Sequence, residues 1–150
     1  MPIMIEKQKS PQTYSVSVSR HDESHATAVS REHSLTLNIK RGGGEAGFNA
    51  AETLLAALGT CVLTNVNTYT QKMRLNVNNV RIELDGVRQD DPPMLTQIHY
   101  RLVFDSPESI EKLQALHDIS VRYGTVTNTL THGIQLQGEV VIMQQESNPQ

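Results

Sequence analysis

Asn49-Ala50-Ala51-Glu52-Thr53-Leu54-Leu55-Ala56-Ala57-Leu58-Gly59-Thr60-Cys61 is the stretch on which the fold turns. Before it, apolar residues alternate with polar ones. From Asn49 onward Leu54, Leu55, Leu58, Cys61, Val62 and Val66 recur at steps of three and four, the spacing of one helical face. Asn49 is a good N-cap, and Glu52 falls in the first turn, where the helix dipole favours a carboxylate. A helix is predicted from about 49 to 73, the longest element of the chain. Thr64, Asn65, Asn67, Thr68 and Thr70 give its second half poor intrinsic propensity, so packing must hold it.

Working outward, Tyr14, Val16 and Val18 alternate with serines as a half-buried strand. His21-Asp22-Glu23-Ser24 reads as a turn, the segment around Ala26 and Ala28 as a return strand, and Leu35, Leu37 and Ile39 as a third. Gly42-Gly43-Gly44 then ends the sheet. After the helix, Val80–Leu84 and Ile98–Phe104 alternate cleanly around Asp90-Asp91-Pro92-Pro93, predicting a hairpin. Ser106-Pro107-Glu108 has the form of a helix start, with Ile110, Leu113 and Leu116 as its inner stripe and Gly124 as its stop. As a stop after Tyr123, Gly124 is expected in the left-handed cap conformation. A short helix over Val126–Thr131 leads to a last strand through Leu136 and Val140 to Ile142. The order is βββ-α-ββ-α-β, an α+β layout with a long central helix packed on antiparallel sheet.

Length and composition narrow the class. The 150 residues suit a single domain, 1–150, with an ordered core of about 12–143. A net charge of −3 does not suit a general nucleic-acid binder or attraction to anionic membranes, and no apolar run reaches membrane-spanning length. Without a secretory h-region, and with one cysteine unable to close an internal disulfide, a soluble cytoplasmic protein is expected. The glycine run is not followed by the lysine of a phosphate loop, and His21, His25 and His33 lack metal-site spacing, so no cofactor or metal is expected.

The chemically distinctive atom is the thiol of Cys61. Leu54, Ala57 and Leu58 precede it on its face of the helix, and Asn65 and Thr68 follow. Dry walls beside polar groups are what a reactive thiol needs. Free cysteine is equally at home as a small buried hydrophobe, so packing is the competing reading. Glu52, nine residues upstream, faces the other way and lies roughly 13 Å along the axis, out of reach within one helix. A cation favouring the thiolate has to come from another element, and Arg20 and Arg41 are the candidates.

The run from Asn49 to Cys61 resembles the N-P-x-E-L-L-L-A-A-L-G-x-C helix of the OsmC/Ohr family. Gly43-Gly44-Glu45-Ala46-Gly47 is similar to that family's glycine-rich approach, and Val126-Thr127-Asn128-Thr129-Leu130 to the tail of its C-P-V-S-N-T-L motif. The resemblance runs from about 35 to 142 and is closest to the general OsmC-like proteins. It implies an intertwined homodimer and thiol-dependent reduction of organic hydroperoxides. In the family one cysteine attacks the peroxide and a second resolves the sulfenic acid, while an arginine and a glutamate position the thiolate. Carried over, Cys61 is the catalytic thiol, Arg41 or Arg20 its arginine, and Glu52 and Leu58 candidate binding residues. The second cysteine falls on Gly124, its proline on Thr125, and the peroxidase glutamate on Ala51. A two-cysteine cycle is therefore excluded. An external thiol reductant is implied, with a small organic hydroperoxide as substrate. The alternative is a non-catalytic homodimer that binds a small apolar ligand, with Cys61 as packing.

Overall fold

A computed structural model describes residues 10–42, 46–134, 136–140 and 143. Three strands, β1 (Ser17–Arg20), β2 (His25–Ser30) and β3 (His33–Asn38), precede the helix α1 (Ala50–Lys72). The strands β4 (Asn79–Gln89) and β5 (Met94–Asp105) then form a hairpin, followed by α2 (Ile110–Arg122) and α3 (Thr125–His132). This is the α+β class read from the sequence. By packing, the chain falls into two compact units. One holds the residues up to Ala56 with Gly86–Ile98; the other holds Ala57–Asp85 with the residues from His99 onward.

In the first unit β1, β2 and β3 make an antiparallel meander in that order. Val18 pairs with Ala28 and Ala28 with Leu35; Arg20 pairs with Ala26 and Ala26 with Leu37. Directly opposed residues share a face, so Val18, Arg20, Ala26, Ala28, Leu35 and Leu37 lie together. The other face carries Ser17, Ser19, Thr27, Val29, Ser34 and Thr36, and Ser30 and His33 complete the first. Ala26 is buried, whereas Val18 and Leu35 are 59% and 61% exposed. The expected half-buried strand at Tyr14–Val18 thus begins only at Ser17 and stays largely exposed. Gly47 has φ of 98°, and a Cβ there would lie 2.7 Å from the Thr36 carbonyl oxygen. Only glycine lets the chain pass this close to β3, where Phe48 forms a parallel bridge with Leu37 and enters α1.

In the second unit Val62, Val66, Leu116 and Ser120 are almost wholly buried. Val80, Ile82 and Leu84 are the half-buried members of an alternating β4, as its sequence indicates. A Cβ on Gly59 would meet Leu84 Cδ1 at 3.0 Å and Ile82 Cγ2 at 3.1 Å. The glycine of the A-A-L-G run therefore brings the α1 backbone down onto β4.

Two elements differ from expectation. The helix α2 starts one turn later than Ser106-Pro107-Glu108 suggests: its N-cap is Ser109, whose hydroxyl accepts from the Lys112 amide. Ser106 instead orders the approach to the helix, donating to the Asn76 carbonyl at 2.5 Å and accepting from the Glu108 amide at 3.1 Å. The expected last strand is also missing from the described residues. Residues 136–140 carry no strand, and Leu136 and Val140 are 90% and 96% exposed. Ile142, its expected end, lies outside the described residues.

The Asn76–Ser106 junction carries a pH dependence. Glu108 accepts from the Asn76 amide at 3.0 Å and from Lys112 Nζ at 3.2 Å. The Asn76 hydrogen bond first, and then Lys112, holds its carboxyl below the ordinary range. With a lowered folded pKa, the contact contributes in full above the ordinary carboxylate value and is lost as pH falls through the folded one. Glu108→Gln should therefore lower Tm at pH 7, and its deficit relative to wild type should shrink towards pH 3. Melting curves across that range check it; a deficit independent of pH counts against this junction.

Candidate active site

Cys61 sits on α1 between buried Leu58 and Val62, and is itself half-buried. Across from it, α2 ends at Arg122 and the chain turns through Tyr123 and Gly124 into α3. Asn65, one turn beyond Cys61, donates from Nδ2 to the Ser120 carbonyl at 2.9 Å. Ser120 in turn donates to Leu116 O at 2.7 Å. The rings of Tyr69 and Tyr123 pair at 6.1 Å, with Lys72 and Arg122 stacked over them. These contacts fasten the end of α2, and with it Gly124, to α1.

An ideal Cβ placed on Gly124 would lie 3.2 Å from Cys61 Sγ and 2.7 Å from Thr127 Oγ1. The position that the sequence assigns to the family's second cysteine is therefore beside the thiol. Its conformation is not the expected left-handed cap: Gly124 is extended, with φ −79° and ψ 125°, and serves as the N-cap of α3. It supplies no side-chain cap to that helix. Such a terminus leaves N–H groups without intrahelical partners at the positive end of the helix dipole. Thr127 Oγ1 is buried without a hydrogen-bond partner among the described residues. Cys61 Sγ and Thr127 Oγ1 thus stand beside the same Gly124 position. Thr127 went unremarked in the sequence as a site residue, although the motif tail around it was legible.

The other predicted residues belong to separate settings. Glu52 and Asn49 form a reciprocal capping box: the Asn49 amide donates to Glu52 Oε2, and the Glu52 amide to Asn49 Oδ1, both at 2.9 Å. Arg20 ends β1 on the face of the meander that carries Val18 and Leu35, and Arg41 lies in the turn after β3; both are exposed. These three are in the first unit, whereas Cys61, Leu58 and Gly124 are in the second. Leu58 is 6% exposed, packed among core residues. Among the described residues no group of three or more His, Cys, Asp or Glu side chains could hold a metal ion. No helix among them is long and apolar enough to cross a membrane.

Residues 41–139 match the family model described as OsmC-like protein. The chain belongs to the OsmC-like protein family. A hydroperoxide reductase of Mycoplasma pneumoniae is 24% identical over 127 residues, covering 82% of this chain and 90% of that protein. The crystal structure of an OsmC-like protein from the same organism superposes with a TM-score of 0.76 at 22% identity, covering 82% and 90% of the two chains. The organic hydroperoxide resistance protein OhrB of Bacillus subtilis superposes at 0.58 with 14% identity, covering 81% and 92%. At these identities the structural likeness establishes a shared OsmC-like fold.

Proposed function

We propose that this OsmC-like chain is one functional domain, acts as a homodimer, and reduces organic hydroperoxides with one cysteine and an external thiol. The observation that carries the reading is the half-buried Cys61 thiol against the uncapped start of α3. A thiolate there attacks the terminal peroxide oxygen. The O–O bond breaks, the alkoxide takes a proton and leaves as alcohol, and Cys61 becomes a sulfenic acid. One reductant thiol displaces water from it to give a mixed disulfide; a second releases the reductant as its disulfide and returns the Cys61 thiol. The name of the M. pneumoniae relative points to the same chemistry.

Arg20 is the arginine that we assign to the thiolate, in preference to Arg41. Arg20 stands beside Ala26 and Leu37 on a sheet face that also carries Val18, Leu35, Ser30 and His33, and a second copy covering that face would hold the cation away from water. The same exposed face, with Val18 and Leu35, is the surface that a second copy would cover, as in the family's interlocked dimer.

Stopped-flow mixing of the reduced protein with cumene hydroperoxide tests the activity. Consumption should require Cys61, vanish in Cys61→Ser, slow at least tenfold in Arg20→Ala and persist in Arg41→Ala. Intact mass should show one, two or three added oxygens on Cys61 and no internal disulfide. A second reading has its own support, since the resolving position is Gly124: Cys61 packs and the protein binds an apolar ligand. A folded protein that gains no oxygen under excess hydroperoxide makes Cys61 a packing residue and overturns the catalytic reading.

A further inference from the structure

Away from Cys61, the second unit holds a cavity of about 350 Å³ between β5 and α2. Leu102, Phe104, Ile110 and Leu113 provide apolar walls, and Tyr100, Gln114 and His117 the polar lining. The polar groups form a chain. Tyr100 Oη lies 2.6 Å from His117 Nε2, and His117 Nδ1 lies 2.8 Å from Asp118 Oδ1. Gln114 Nε2 donates to the same Asp118 oxygen at 2.9 Å. The volume is at the small end of the range for small-molecule sites.

Proton placement decides what such a cavity accepts. An ionised carboxylate only accepts, so the Nδ1 that faces Asp118 carries the ring proton. In the neutral ring Nε2 is then the acceptor, and the Tyr100 hydroxyl spends its single proton on it. Burial, and then the Asp118 charge, raise the Tyr100 hydroxyl above its usual range, so the phenol keeps that proton. What remains on the phenolic oxygen is lone pairs, and these seek a donor.

We propose that this cavity binds a neutral, apolar molecule with one hydroxyl donor, an aliphatic alcohol or its like, whose hydroxyl donates to Tyr100. A carboxylate of the same chain length is disfavoured, because its oxygens would meet the lone pairs of the phenol near the Asp118 charge. The site uses none of the groups around Cys61 and is independent of peroxide chemistry.

Calorimetric titration of the full chain with 1-octanol and with octanoate at pH 7.5, beside ¹H–¹⁵N spectra, tests it. Octanol should bind saturably and shift the amides of Leu102, Leu113 and His117. Octanoate should bind at least tenfold more weakly. Tyr100→Phe, which keeps the ring and removes only the oxygen, should weaken octanol by about tenfold, with dispersed spectra confirming its fold. Ile110→Trp, at an exposed wall position, should block binding without touching the polar chain. Absence of saturable binding to the wild type overturns the proposal. So does equal affinity for octanoate, unchanged affinity in Tyr100→Phe, or shifts confined to another surface.

Discussion

Gly124→Cys is expected to close a disulfide with Cys61 upon mild oxidation, taking the variant from two titratable thiols to none. The geometry is nearly that of the bond already. With an S–S length of about 2.04 Å and ordinary angles at sulfur, the Cβ of one half-cystine lies about 3.0 Å from the other sulfur. On Gly124 that Cβ lies 3.2 Å from Cys61 Sγ. The extended backbone at φ −79° accepts a side chain without strain. What must yield is Thr127, whose Oγ1 and Cβ would stand at 2.7 and 3.1 Å. Its hydroxyl has no hydrogen bond to lose, so a rotamer change is open to it. By the chain-entropy model, a loop of this length should stabilise the oxidised variant by about 4 kcal/mol. Thiol titration and intact mass after diamide read the bond, and Tm with and without reductant reads its energetic effect. If the thiols stay free in a folded variant, the adjacency of Gly124 and Cys61 is wrong. If the bond forms but hydroperoxide is not consumed, the family register is right and the catalytic reading is not.

Leu116→Ala should be the most damaging single truncation. Leu116 is completely buried, and Ser120, one turn on, is too, in the unit that also buries Val62 and Val66. Removing three carbons from such a site costs about 2–5 kcal/mol, depending on how far the neighbours relax. Against a total of about 5–15 kcal/mol, that is enough to unfold much of the population under mild stress. Ile110→Ala on the same helix, at a position 71% exposed, should change stability by about 0.5 kcal/mol or less. Urea denaturation at one fixed protein concentration, so that any association cancels, compares the two. A loss below about 1 kcal/mol for Leu116→Ala would place the core elsewhere.

The parts of the molecule legible in the sequence were those settled by neighbours along the chain. Asn49 and Glu52 mark the start of α1 because the capping box is local. The alternation of Val80, Ile82 and Leu84 likewise announces a half-buried strand. The start of α2 is ambiguous in the sequence because Ser106 and Ser109 are both competent caps; Ser109 caps the helix, and Ser106 binds Asn76, 30 residues away. Gly124 illustrates both sides. Its place beside Cys61 came from motif register, but its extended backbone came from the N-cap role that it plays for α3. The alternation of Leu136 and Val140 suggests a strand, but a strand needs a ladder partner as well as alternation, and residues 136–140 carry none. The chain from Tyr100 to Asp118 had no local signature beyond adjacent His117 and Asp118. It forms only when β5 and α2 meet.

The nearness of Gly124 to Cys61 also has a genetic meaning. Where glycine is encoded by GGU or GGC, a change of the first base to U makes the codon one for cysteine. On the proposed one-cysteine cycle an outside thiol has to resolve the Cys61 sulfenic acid, and one nucleotide away stands a chain whose own second thiol could resolve it as an internal disulfide. Selection of a random library under organic hydroperoxide would meet that codon early. Its recurrence among survivors, or its avoidance, would report which of the two chemistries the host's reductants can sustain.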